Sequence, residues 1–345
     1  MIEGGFGALL SAVQSNCMLS DARYAQEQAL CNYLLAMREY FRWEHELPLW
    51  AEPPRAEVLA WIAEREAQWE AIGPDAQWTP LPLRDARADP FEVDAVNAQL
   101  VPRGFVYGAG RGRFGKPHFF LGRLAHHERR AGVEILESAC EYARDIDAAP
   151  ATLQGETIFL RREAFERWLW LRAETWESRE NPGAMGAALE AYGFAADRGA
   201  ALARMAEGER ETLILHELGE HAAGRRLGEA WERLMEQLSD ARAELAARAV
   251  RDLFADCLVT LPTLIEREAA ASLNFWLANF TGLRRMLFPR LVDACAAKAQ
   301  RERHAALKDA AAAGCEHWER VARELAAGGV AVARRIAERD CAFRL

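Results

Sequence analysis

The amino-acid sequence predicts an all-α protein: a large irregular multi-helix bundle with a Gly-rich internal loop and little or no β-structure. Two observations carry that prediction. Nearly every periodic stretch of the 345 residues repeats its apolar positions at helical spacing, and convincing strands are absent. No repeat of fixed period occurs. The length exceeds one typical core. The chain is therefore read as one helical domain over 1–345, divisible into N-terminal helices (1–72), a Pro/Gly-rich connecting region (73–117) and a main helical bundle (118–345).

The elements follow in order. Asp21 is placed as the N-cap of a helix running to about His45, with Leu30, Leu34, Met37 and Phe41 on one face. Pro48 ends it. A second helix covers about Arg55 to Ala71. Pro74, Pro80, Pro82 and Pro90 make the next stretch an extended loop. Phe105-Val106-Tyr107 admits one short strand among the glycines from Gly104 to Gly115. Helix is expected from about His118 to Asp147, from Arg161 to Ser178, and again after Asn181-Pro182. A long helical region from Glu209 to about Leu261 breaks near Leu238-Ser239-Asp240. Pro262 and Pro289 divide the remainder. The Ala-, Arg- and Glu-rich tail beyond Lys298 reads as a solvated amphipathic helix or a hairpin broken at Gly328-Gly329.

Composition narrows the function. A net charge of −9 argues against general nucleic-acid binding, which needs a basic surface. The segment from Met1 to Cys17 has no basic n-region and an early Glu3, so no secretory signal is expected. The most apolar run, Phe275 to Leu277, is far too short to span a membrane. The cysteines (Cys17, Cys31, Cys140, Cys257, Cys295, Cys315 and Cys341) are odd in number and scattered, without CxxC. That pattern fits reduced thiols and a cytoplasmic location.

The densest chemistry lies in His216-Glu217-Leu218-Gly219-Glu220-His221. On an ideal helix each residue turns by about 100°, so with His216 at zero, Glu220 falls near ~40°, Glu217 near ~100° and His221 near ~140°. Two i,i+4 pairs result, His216 with Glu220 and Glu217 with His221. The first pair can bind a metal from one face. That face also carries Leu213, Ala223 and Leu227, so His216 and Glu220 interrupt an apolar stripe, and a buried carboxylate needs compensation. A metal, a shared proton or an arginine can supply it.

Glu44 falls on the Leu30–Phe41 face of its helix. Asp256 borders the Ala249-Leu253-Cys257-Thr260 face, with Asp252 one turn earlier and more exposed. His216, Glu220, Asp256 and Glu44 together form a mixed nitrogen/oxygen set suited to a divalent transition metal, Fe, Mn or Zn. Such a centre, with an open position, activates water or dioxygen, hydrolysis and oxidation being equally open. Glu217 or His221 is then the acid/base group or a support to the ligands. The competing reading is a buried salt-bridge network in a non-enzymatic scaffold, with Arg38, Arg42, Arg162, Arg172, Arg248 and Arg251 as its cations. His126, His127, His304 and His317 lie in charged, surface-like surroundings.

A second stretch, Tyr107 to His118, holds Gly110, Gly112 and Gly115 in GxGxxG spacing and Gly110 to Lys116 in GxxxxGK spacing. Pro117 stands where a phosphate-binding loop needs Ser or Thr, and no βαβ pattern surrounds it. What remains is an anion-binding loop for a small molecule, formed by those glycines with Arg111, Arg113 and Lys116, or a tight connection with solvated basic residues.

HELGEHAAGRRLG resembles the HExxH helix of zincin and site-2 proteases with one residue too many. The two histidines at i,i+5 diverge by about 140° on a regular helix and cannot share an ion there. Di-iron bundles need ExxH, and no histidine here has Glu three residues before it. Asn16-Cys17…Ser20-Asp21-Ala22-Arg23, Met37 to Glu44 and Asn279 to Arg285, with the Gly-rich loop and HELGE, resemble an uncharacterised family of bacterial hypothetical proteins. The resemblance implies a helical cytoplasmic protein and brings no activity with it.

Overall fold

The computed structural model describes residues 3–25, 29–84, 86–177, 183–296 and 300–345. Asn181-Pro182 and Lys298, read above as helix boundaries, and the side chain of Arg113 lie outside the described residues. The chain divides into two compact units, Met1–Trp170 and Leu171–Leu345.

The first unit opens with helices α1 (Glu3–Tyr24), α2 (Leu30–Glu44) and α3 (Arg55–Glu70). Asp21 belongs to the end of α1 and is fully buried there, so it caps no following helix. The buried face of α2 is Tyr33, Met37, Tyr40 and Phe41, while Leu30 and Leu34 are exposed. A short ladder of β1 (Leu81–Pro82) and β2 (Arg87–Ala88) precedes α4 (Val93–Leu100). Then come β3 (Phe105–Arg111), β4 (Pro117–Arg130), β5 (Val133–Arg144), β6 (Ala151–Gln154) and β7 (Thr157–Arg161). They form a mixed sheet in the order β3-β4-β5-β7-β6, antiparallel except for the β5–β7 pair.

This sheet overturns the all-α expectation and the helical bundle; the fold is α+β. The helix expected over His118 to Asp147 is the β4–β5 hairpin. The physical reason is legible in the strands. β4 is interrupted by register shifts at Leu121/Gly122, Arg123/Leu124 and Leu124/His126, and these bulges destroy the period-two alternation that marks a strand. β5 is paired on both sides, and its run Ile135, Leu136, Glu137 and Ser138 is buried at consecutive positions. Its composition, with three Glu and two Ala among 12 residues, leans toward helix, and tertiary pairing overrides that local preference. The stretch 73–117, expected as a connector, carries β1 to β3 and α4. Leu9, Val13, Cys17, Leu81, Val96, Tyr107, Phe119 and Leu121 pack α1 and α4 onto the sheet.

The division between the units falls within α5 (Arg162–Glu177). The second unit is helical: α6 (Gly183–Ala191), α7 (Arg198–Leu227), α8 (Glu229–Gln237), α9 (Ala241–Ala255), a π-helical turn over Asp256–Thr260, α10 (Leu261–Glu266), α11 (Ala270–Asn279), α12 (Gly282–Leu287), α13 (Pro289–Ala296) and α14 (Gln300–Ala337). Asp197 caps α7 by accepting from Ala200 N–H at 3.0 Å. Asp240 caps α9 by accepting from Arg242 and Ala243 at 2.9 and 3.0 Å. The break at Leu238–Asp240 thus has a cap behind it. A further break comes at Gly228, whose φ of 64° is in the left-handed region. α14 is broken at Gly329. The core joins α9 and α14 through Val250, Leu253, Phe254, Trp318, Val321 and Leu325. Among the described residues, no helix is long and apolar enough to cross a membrane.

Candidate functional site

The HELGEH segment lies in the second half of α7, against α9 and the π-turn. Gly219 permits the approach: a Cβ there would stand 2.6 Å from the Ala255 carbonyl oxygen. The close crossing brings the i,i+4 pair His216 and Glu220 opposite another, Asp252 and Asp256. His216 Nδ1–H donates to Asp256 Oδ1 at 2.8 Å, and its Nε2 lies 3.5 Å from Glu220 Oε1. One potential ligand atom from each of His216, Glu220 and Asp252 falls within 4.8 Å of the others. The π-turn begins at Asp256; such insertions in a helix recur where a side chain must be re-aimed.

Two arginines close the cluster. Arg251 Nη2 donates to Glu220 Oε1 and, at 3.2 Å, to Asp252 Oδ1. Arg284 Nη1 donates to Asp256 Oδ2 at 3.3 Å, and its Nη2 to the Asn279 carbonyl at 2.7 Å. Asn279 to Arg285, one of the segments behind the family resemblance, therefore carries the turn that delivers Arg284. Asp256 is fully buried, while the His216 side chain keeps 26% exposure, so the cluster reaches the surface on its histidine side.

The charges follow from these contacts. Burial disfavours the His216 imidazolium, but Asp256 and then Glu220 outweigh it and raise its pKa well above the ordinary value. Burial likewise works against ionised Asp256, yet His216 and Arg284 hold its carboxyl below the usual range. Arg251 and His216 overcome burial at Glu220 and bring it down to about 2. Asp252 moves upward through burial and the neighbouring Glu220. Burial pushes Glu217 up to about 8, with the Glu220 charge adding to it.

Of the expected site residues, His216, Glu220 and Asp256 are brought together. Glu217 lies on the buried face of α7, deeper than Glu220. His221 is half-buried on α7, one residue beyond. Glu44 belongs to the first unit, where it accepts from Trp61 Nε1–H at 2.6 Å and pairs with Arg65. Asp252, set aside by the sequence reading as more exposed, takes a place in the cluster. Its signal was present: it stands four residues before Asp256, mirroring the His216–Glu220 spacing. Arg284 had no such signal, because only the fold brings α12 to α9.

The Gly-rich stretch is the β3–β4 hairpin. Gly110 pairs with His118 across the ladder, and a Cβ on it would run into the Gln154 side chain. Gly112 N–H donates to the Lys116 carbonyl at 2.8 Å, and Gly115 turns the chain at φ 70°. Lys116 is buried, its ammonium 3.0 Å from Asp147 and 3.4 Å from Asp21. Asp21 accepts from Ile146 N–H at 3.1 Å, and Asp145 from Phe119 N–H at 2.7 Å. Burial pushes the Asp21 carboxyl up to about 7, partly opposed by Lys116.

Two family models match this chain: the N-terminal domain of a family of unknown function (DUF6866) over residues 8–161, and the C-terminal domain of the same family over residues 166–339. The chain belongs to that family. Its N-terminal domain holds the five-stranded sheet, which corrects the resemblance to an all-helical family. The junction of the two domains falls beside the division of the chain at Trp170 and Leu171. No curated protein matches the chain, and no solved structure does.

Proposed function

We propose that the second unit carries a divalent transition-metal centre, Fe, Mn or Zn, held by His216 Nε2, Glu220 and Asp252. Asp256 is the orienting partner of the histidine. The observation that carries this reading is the 2.8 Å bond from His216 Nδ1 to Asp256, which leaves Nε2 3.5 Å from Glu220 in a cluster that includes Asp252. Metal-bound histidines generally donate their other ring N–H to a carboxylate or carbonyl in this way. Donors around an ion at about 2.1 Å stand roughly 3–3.5 Å apart. His216 Nε2 and Glu220 Oε1 already stand 3.5 Å apart, and the three ligand atoms lie within 4.8 Å of one another, a separation that rotation of the carboxylates would reduce. Arg251 stands on both proposed carboxylate ligands and is the cation an incoming metal displaces. Three protein ligands leave positions for water, which a bound ion makes acidic or offers to a substrate.

A second reading rests on Arg251 and Arg284. With charged His216 they balance Glu220, Asp252 and Asp256 without any ion, and the cluster then fixes the α7–α9 packing alone. Metal analysis of chelator-free wild type, His216→Ala and Arg251→Met separates the two. The metal centre requires near-stoichiometric metal in wild type, its loss in His216→Ala, and equal or tighter binding in Arg251→Met. Metal-free protein that takes up no Fe, Mn or Zn on reconstitution, together with a large loss of stability in Arg251→Met, would leave the ion network as the answer.

A further inference from the structure

The first unit contains a cleft of about 1020 Å³ between the turn after α2, the end of β5 and the start of α5. Tyr40, Trp43 and Trp50 give it an aromatic side, and Trp50 is 64% exposed. Arg144 is buried against the Tyr40 and Trp43 rings, 5.6 and 5.4 Å from their centroids, and spends its Nε–H on the Asp145 carbonyl. Its charge stays in the wall.

Arg167 on α5 also lines the cleft, and its side chain is only 9% exposed. Its Nη2 donates to Glu163 at 3.1 Å, but Nε and Nη1 have no acceptor among the described residues. A guanidinium keeps its proton and its five donors under all ordinary conditions, so buried donors of this kind call for an acceptor. The nearby acids are turned to other partners, except that Glu141 Oε2, also on the cleft wall, accepts no hydrogen bond among the described residues. Glu141 pairs with Arg161, and Glu163 accepts from Arg167 and from Glu141 N–H at 3.1 Å. Glu44 holds Arg65 and Trp61. Burial raises the Glu166 carboxyl above the usual carboxylate range. Exposed Glu46 stands at the rim.

We propose that this cleft binds a small anion carrying a flat ring. Its carboxylate or phosphate accepts from Arg167 Nε and Nη1, and the ring lies on Trp43 and Trp50. The inference is independent of the metal centre.

Calorimetric titration of the full chain tests it with three probes: 4-hydroxybenzoate, AMP, and neutral 4-hydroxybenzamide. At least one anion is expected to bind saturably with a Kd below about 1 mM, the amide not at all. The two anions distinguish a carboxylate from a phosphate ligand. Arg167→Met is expected to weaken binding at least ~10-fold and Trp50→Ala about 3-fold or more. If Arg167→Met does not fold, Arg167→Lys and the surface change Trp50→Ala decide, each with a several-fold loss. The proposal is overturned if neither anion binds up to about 10 mM, if the amide binds as well as the acids, or if the folded variants keep wild-type affinity.

Discussion

The two units bury charge in different ways. In the second, His216, Glu220, Asp252 and Asp256 stand one turn apart on facing helical segments, and Arg251 and Arg284 complete a set with balanced charge. In the first, the end of α1 and the turns beside β4 and β5 gather Asp21, Asp145 and Asp147 around buried Lys116, while Arg167 on α5 keeps two donors without acceptors among the described residues. Helical spacing pairs side chains of one segment, so a cluster can be assembled from two elements. Turns and element ends gather residues from remote parts of the chain; each unit also holds a buried arginine with a donor lacking an acceptor among the described residues, Nε of Arg251 in the second and Nε and Nη1 of Arg167 in the first. An imbalance of that kind is where a ligand has something to add.

The largest effect is expected from Lys116→Met. It leaves Asp21 and Asp147 facing each other without the ammonium, and should cost about 3–5 kcal/mol in chemical denaturation, as loss of one partner from a buried pair does. A cost near that of an ordinary surface change would show that the acids of the first unit do not need their cation.

The pH dependence of the same cluster comes next. Asp21 is raised from 3.8 to about 7 in the folded protein. Between those values the folded state holds a proton that the unfolded state has lost, so stability falls as pH rises through the window. This contribution is fully present below about pH 4 and gone above about pH 7. Its size is of order a few kcal/mol. Asp21→Asn should flatten it, seen as a wild-type-minus-variant stability difference that declines from pH 4 to 7. The second unit has opposite signs at Glu220 and Asp256, whose lowered values give stability that is lost as pH falls. A difference curve that rises with pH would reverse the assignment at Asp21.

Two glycine substitutions sharpen the comparison at smaller scale. Gly219→Ala drives a Cβ against the Ala255 backbone, which cannot turn aside, and should lower stability by about 1–3 kcal/mol on thermal melting. It should also push α7 away from Asp252 and Asp256. Gly110→Ala meets the far end of the Gln154 side chain, which can swing, so a loss under about 1 kcal/mol is expected. Equal losses would mean that the α7–α9 crossing is no tighter than the β3–β4 hairpin.

Much of the second unit was legible. The i,i+4 spacing of His216 and Glu220 put the two side chains on one face of α7, and Asp240 stood where a cap should be. Asp252 was passed over because helical angle alone reports exposure, not what a crossing helix brings. The first unit was misread for a reason that belongs to its strands. Bulges in β4 and two-sided burial in β5 remove alternation, and the Glu and Ala of β5 leave a leaning toward helix in its place. The hairpin glycines left an anion-binding loop and a tight connection both open, and Gly110 lies in a strand beneath Gln154.

By itself the sequence determined most helices of the second unit and the pairing of His216 with Glu220, because each depends on neighbours a turn or less away, and it fixed the excess of acid over base as plain composition. Only the tertiary structure decided that residues 105–161 form a sheet, that Arg251 faces Glu220 while Glu44 keeps to Arg65, and that Lys116 is surrounded by aspartates. Those outcomes rest on contacts between residues far apart in the chain, whose energies exceed local preference and leave no periodic trace in it.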